Sequence, residues 1–249
     1  MNSFEIFAKA PISEAILDIQ AIPRHDVDVE SLKAFESEIS AVYTERKTIH
    51  FLQGEFKLPK DGVVPDPVQK SGKFGYRFQA PSENKVVQVK ADGYTFNKLK
   101  PYTNWREFRS EAQRWWDKYA IIAKPEKISR ISLRYINIIN APLPFSDFNE
   151  YLLTNPQIAP GLPQNVSNFF MRLELPDPNF ESVAVITMTM KSPEPNNSLP
   201  LVLDIDVIKI HEYEIEKMDQ VWVDFELLRE FKNQIFFKTT TEKAKELFR

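Results

Sequence analysis

Six charged residues have the types and spacing to do chemistry. Arg130 and Arg134 lie in the run Arg130-Ile131-Ser132-Leu133-Arg134-Tyr135-Ile136-Asn137. On a strand, a period of two places both on one face with Ser132. Two guanidinium forks so spaced make an anion-binding stripe, since each matches a carboxylate or phosphate. Glu14 and Asp18 share that spacing on an earlier strand. If the two strands adjoin, Glu14 and Asp18 face the arginines, and the stripe becomes a set of cross-strand ion pairs. That structural reading outweighs a ligand site. Asp204 and Asp206 share one face of a third strand. Paired carboxylates can hold a divalent cation or serve as acid and base. A metal site needs further oxygen ligands or His, and His25, His50 and His211 stand far apart in the chain. No metal is expected, and both aspartates read as alternate partners for the same arginines.

Other residues weigh less. His211 lies close to Glu212 and Glu214, an environment suited to a general base, but spacing suggests no Ser, Cys or Lys partner. Trp105, Trp115 and Trp222 fit helical core stripes or a capping region. Trp116 lies off its stripe and is expected to be an exposed contact, where an indole could stack on a base or sugar. No catalytic or cofactor motif is identifiable, and six Gly leave little room for phosphate-cradling loops. No cofactor is expected.

The 249 residues are 43% hydrophobic and 27% charged, ordinary globular values with enough apolar matter for a full core. Nineteen Phe, eight Tyr and four Trp predict an aromatic-rich interior. Net charge is −3 and the pI about 5.8. This balance disfavours strong non-specific nucleic-acid binding, which needs many Lys and Arg facing phosphates. The absence of Cys excludes disulfides, thiolate nucleophiles and Cys-based metal sites. Met1 to Ala10 lacks a basic segment followed by an apolar one, and no apolar run approaches the ~20 residues that span a bilayer. A cytoplasmic protein with no membrane partner is the expectation.

The elements that must position these residues follow from periodicity. Ile12 to Ile22 alternates as a half-buried strand, and Pro23 stops it. Asp28 caps a helix with Leu32, Phe35, Ile39 and Val42 on its apolar stripe. A strand near Ile49 to Leu58 precedes a Pro-rich loop from Pro59 to Lys73. Strands at Phe74 to Gln79, Lys85 to Ala91 and Tyr94 to Lys98 come next, with Asp92-Gly93 predicting a type I′ hairpin. Asn104 and Glu107 predict a capping box on a helix reaching Ile122, and Pro125 marks a boundary. The second half has a long strand over Lys127 to Asn140, a short helix capped by Ser146, and a Pro-rich loop from Pro156 to Pro163. Strands follow near Asn168 to Leu175, Ser182 to Met190 and Leu201 to Ile210. A helix over Asp219 to Phe237 and a last short one, boxed by Thr239 and Glu242, complete the chain.

Short words recur in order. Trp105-Arg106-Glu107-Phe108 and Trp222-Val223-Asp224-Phe225 are 117 residues apart, as are Leu58-Pro59 and Leu175-Pro176; Ile12-Ser13 and Ile128-Ser129 are 116 apart. This suggests an internal duplication. The fold class expected is α+β, with halves at 1–125 and 126–249 in one compact unit. Each half reads strand–helix–(three or four antiparallel strands)–helix, with the sheet covered by long helices. The element order resembles that of the TATA-box-binding-protein fold, an analogy that carries no function.

Pro11-Ile12-x-Glu14-Ala15, Arg130-x-x-Leu133-Arg134-Tyr135-x-Asn137 and Phe236-x-x-Thr239-Thr240 together resemble a sporadically distributed family of uncharacterised bacterial proteins of similar length. Pro142 departs from that pattern, following Asn140-Ala141 rather than sitting closer to the Asn. The resemblance implies a bacterial, cytoplasmic accessory protein that moves between genomes, and it brings no catalytic residues. The leading expectation is a non-catalytic protein-interaction module of a toxin–antitoxin or phage-defence type system, its partner another protein. A nucleic-acid-binding saddle ranks second, disfavoured by charge. Third is an enzyme using Arg130, Arg134, Asp204 and Asp206 on a phosphorylated or nucleotide substrate.

Overall fold

Alternation along Ile12–Ile22 makes β1: Ala15, Leu17, Ile19 and Ala21 are buried on one face, while Glu14, Ile16, Asp18 and Gln20 take the other. The computed structural model describes residues 4–25, 28–55 and 68–249. After β1 come a 3-10 turn at Val29–Ala34, α1 (Phe35–Ile39), β2 (Glu45–Glu55), β3 (Val68–Ala80), β4 (Lys85–Lys90), β5 (Gly93–Leu99) and α2 (Trp105–Ala123). The remainder holds β6 (Lys127–Pro142), β7 (Phe170–Asp177), β8 (Ser182–Met190), β9 (Ser198–Glu214), α3 (Met218–Thr239) and α4 (Glu242–Glu246).

The nine strands form one sheet in the order β2-β3-β4-β5-β1-β6-β9-β8-β7, and every neighbouring pair is antiparallel. The α+β class is therefore observed. β1 and β6 adjoin near the centre of the sheet. Both long helices lie on one face. The Tyr94 hydroxyl of β5 donates to the Ala112 carbonyl of α2 at 3.0 Å, and Tyr94 pairs with Ile19. Lys232 of α3 sits over Tyr135 of β6, which pairs with Ala15. Ile19 and Ala15 share one face of β1, so α2 and α3 cover the same side. Glu14, Asp18 and their neighbours occupy the open side.

Local signals place most elements. Asn104 caps α2, its side chain accepting from the Glu107 N–H at 2.9 Å. Several details differ from expectation. Asp28 caps the 3-10 turn rather than a continuous helix, and Tyr43, not Val42, is buried beyond α1. Asp147, not Ser146, caps the turn at Phe148–Glu150, in a box closed by Glu150. Thr241 caps α4, while Thr239 is buried at the end of α3. The loop joining β4 to β5 is Ala91-Asp92, since Lys90 pairs with Gly93. Neither loop residue has positive φ, so the turn is not type I′. Gly93 serves a different need: at φ 155°, a Cβ there would lie 2.4 Å from the Ile19 carbonyl oxygen of β1. β9 extends past Ile210 through His211 to Glu214. Of the expected Pro-rich loop, Val68 to Lys73 belong to β3, and residues 59–67, with the Leu58-Pro59 repeat, lie outside the described residues.

The largest correction concerns Trp116, which is 1% exposed. Two layers grip α2. Trp115 packs edge-on to Phe35 of α1 and to Tyr43, and Trp116 packs against Tyr94 of the sheet and Tyr119. A helix buried on two sides carries an apolar stripe wider than single-sided packing requires.

Candidate interaction face and buried lysine cluster

The antiparallel register of β1, β6 and β9 decides which of the six expected site residues meet. Gln20 stands opposite Arg130, Asp18 opposite Ser132 and Ile16 opposite Arg134, so the carboxylates of β1 reach the arginines of β6 only diagonally. Asp18 does so: its Oδ1 accepts from Arg130 at 3.0 Å, and its Oδ2 accepts from Thr95 at 2.7 Å and Lys90 at 3.3 Å. Glu14 does not pair with either arginine; it accepts from the Asn97 amide at 2.7 Å. On the other flank, Asp206 stands directly opposite Arg134, yet the guanidinium turns to Asp204. Arg134 Nε donates to Asp204 Oδ1 at 2.9 Å and Nη2 to Oδ2 at 2.6 Å, a two-toothed pair.

Asp206 is left with a buried Oδ1 that has no hydrogen-bond partner. Burial raises its carboxyl above the ordinary range, against the opposing pull of Arg134. Asp204 holds Arg134 in its charged form. Four of the six residues thus form two ion pairs on one sheet face, Asp18–Arg130 and Asp204–Arg134, while Glu14 binds Asn97 and Asp206 stands beside Arg134. Their cations are engaged by carboxylates from adjacent strands, and the buried Arg130 Nε has no hydrogen-bond partner. Among the described residues, no group of three or more His, Asp or Glu could hold a metal ion, and no helix is long and apolar enough to cross a membrane.

Beyond this charged centre the open face turns apolar. Ile208, Val183 and Val185 line a cleft of about 530 Å³ with Pro176, Pro178 and Ile210. Ile210 is 82% exposed although it sits within a strand. Arg172, Glu174 and Glu181 rim the same cleft. A second cleft, about 290 Å³, lies beside α2. There Lys85 bridges Glu111 at 2.7 Å and Glu83 at 2.5 Å, and Lys98 donates to the Glu83 carbonyl at 2.6 Å.

Sequence reasoning missed the cluster under the helices. Lys232, on the buried side of α3, is 9% exposed, and its ammonium lies 3.9 Å from the centre of the Tyr135 ring. Tyr135 shares a 2.8 Å hydrogen bond with the Tyr102 hydroxyl. Burial, reinforced by Arg229, pushes the Lys232 amine down to about 7; burial pushes the Tyr102 phenol up to about 12. Next to them Glu226 of α3 accepts from Trp105 Nε1 at 2.8 Å and Arg109 at 3.1 Å, both of α2. Arg229 stacks over Trp105, and Arg109 over Trp222. Lys232 lines neither cleft. The available signal was its position one residue after Phe231 on the inward stripe, where a lysine stem can reach the sheet. His211, exposed at the sheet end, packs edge-on to Tyr213 at 4.6 Å.

Comparison of the chain with protein-family models, with curated proteins and with solved structures gives no match.

Proposed function

We propose that this chain is a non-catalytic protein-interaction module. Its partner, another protein, seats on the open sheet face with an apolar side chain in the cleft over Val183, Val185 and Ile208. The observation that carries this reading is Ile210, a large apolar side chain 82% exposed on a strand and lining an apolar cleft. An exposed apolar side chain continuous with an apolar cleft favours a docking site. The charged rim of Arg172, Glu174 and Glu181 supplies orientation for the partner.

The ion pairing of Arg130 and Arg134 supports this reading over an anion-binding enzyme and over a nucleic-acid saddle. A saddle would need unengaged cations along the open face. The mirror order of strands about the β1–β6 junction, with a long helix ending each half on the same side, supports descent of the two halves from a duplicated unit. It supports equally an element order akin to the TATA-box-binding-protein fold. Trp105 opens α2 whereas Trp222 is the fifth residue of α3, so the helices begin about one turn apart. The motif resemblance supports placing the protein among accessory members of toxin–antitoxin or phage-defence type systems, in the cytoplasm of a bacterium.

The test is a pull-down of tagged protein from its host, with Ile210→Asp alongside. The expected result is a protein partner captured by the parent and lost from the variant, with both melting at the same temperature. Equal capture by both forms, or nucleic acid as the species captured, would overturn the reading.

A further inference from the structure

β7 is an edge strand whose sequence is complementary to itself. It runs eight residues, Phe-Met-Arg-Leu-Glu-Leu-Pro-Asp, pairing with β8 without a register shift. Pro176 stands opposite Val183 and has no N–H to give, so the even-numbered positions are those whose backbone faces away from β8. The Phe169 carbonyl agrees with this parity: it points toward β8, where it accepts from the Thr189 side-chain hydroxyl at 2.7 Å. The outward N–H and C=O groups of Phe170, Arg172 and Glu174 therefore lie along the open edge of the sheet. Phe170, at 73% exposed, and Leu175 are exposed there too. An unbroken edge of this kind is a template for another strand. The opposite edge differs, because a bulge between Ile49 and His50 interrupts β2.

We infer that β7 pairs antiparallel with β7 of a second copy of this chain, about a two-fold axis through Leu173, joining two nine-stranded sheets into one. In that register Arg172 stands opposite Glu174 of the second copy, Met171 opposite Leu175, and Phe170 opposite Pro176. Arg172 and Glu174 exchange both backbone hydrogen bonds, twice by symmetry. The Phe170 N–H reaches the Pro176 carbonyl, while the missing N–H of Pro176 leaves the Phe170 carbonyl without its bond, once at each end of the paired segment. Within one chain Arg172 already bridges Glu174; two copies bring together four charges of alternating sign. A slip by two residues would set Arg172 against Arg172, or Glu174 against Glu174, which disfavours the neighbouring registers. Charges that guard an edge against every strand thus favour one, a copy of their own. This pairing shares Arg172 and Glu174 with the rim of the open-face cleft, but Ile210→Asp, on β9, leaves it intact.

Sedimentation of the full-length chain, with circular-dichroism melts as the fold control, tests the pairing. The parent is expected to dimerise. Arg172→Glu and Glu174→Arg should each weaken the dimer about tenfold or more, because each sets two like-charged pairs across the axis. The double reversal, Arg172→Glu with Glu174→Arg, restores opposite pairs and should recover the dimer. Both positions are exposed on the strand, so all variants should melt near the parent. A parent that stays monomeric to its highest soluble concentration would overturn the inference. So would a dimer indifferent to the single reversals, or a double variant no better than the singles.

Discussion

Replacing Lys232 by methionine should stabilise the protein at neutral pH. The side chain is 9% exposed and its amine is pushed from the ordinary 10.5 down to about 7 by burial, then by Arg229. At 1.36 kcal/mol per pH unit, that interval corresponds to roughly 5 kcal/mol against the charged form. The Tyr135 ring, 3.9 Å from the ammonium, returns up to about 2 kcal/mol through cation–π attraction. A penalty of about 3 kcal/mol remains, and methionine of similar length would remove it without opening a cavity. The pH dependence has a definite sign. Between about 7 and 10.5 the unfolded chain binds a proton that the folded chain lacks, so stability rises with pH across that window. Below about 7 the loss is complete. Tyr102, raised to about 12, acts in the opposite direction only above its ordinary 10, where the unfolded phenol ionises first. Urea denaturation at pH 7, 8 and 9 is therefore the clean range. The parent should gain stability with each step, whereas Lys232→Met should be flatter and about 3 kcal/mol more stable at pH 7. A parent with flat stability, or a variant weaker than the parent, would refute the reasoning.

Other expectations concern the sheet. Arg134→Ala should cost about 1–3 kcal/mol in urea denaturation: Asp204, its side chain 11% exposed, loses its partner, but Arg134 itself is 42% exposed and partly screened. Unchanged stability with loss of a ligand would instead favour an anion site. Gly93→Ala should cost more than about 2 kcal/mol, because its Cβ would meet the Ile19 carbonyl at 2.4 Å and β5 would have to part from β1; a melting temperature within error of the parent would contradict this. Double-stranded DNA at ~150 mM salt should bind no tighter than about 10⁻⁴–10⁻⁶ M by fluorescence anisotropy, since Arg130, Arg134 and Lys90 on the open face are paired with carboxylates. A submicromolar, steeply salt-dependent Kd would put the saddle reading first.

Features that depend on near neighbours along the chain were legible from residue order. The period of two announced β1, β6 and β8, and Asn104 with Glu107 announced the start of α2, because these signals act within a turn or a pleat. Residue order also placed Arg130, Ser132 and Arg134 on one face, since alternation leaves a strand no other choice. Tertiary structure decided everything that required a second segment. Trp116 looked solvent-facing on a helix with one buried stripe, and only the second layer around Phe35 and Tyr43 shows that α2 is gripped on two sides. Asp92-Gly93 read as a hairpin signal, but Gly93 is needed for the approach of β1, which lies some seventy residues earlier. Asp204 rather than Asp206 captures Arg134, and Asn97 rather than an arginine binds Glu14. Side-chain period is a property of one strand; register, diagonal reach and burial belong to pairs of strands, and no local pattern encodes which pairs will meet.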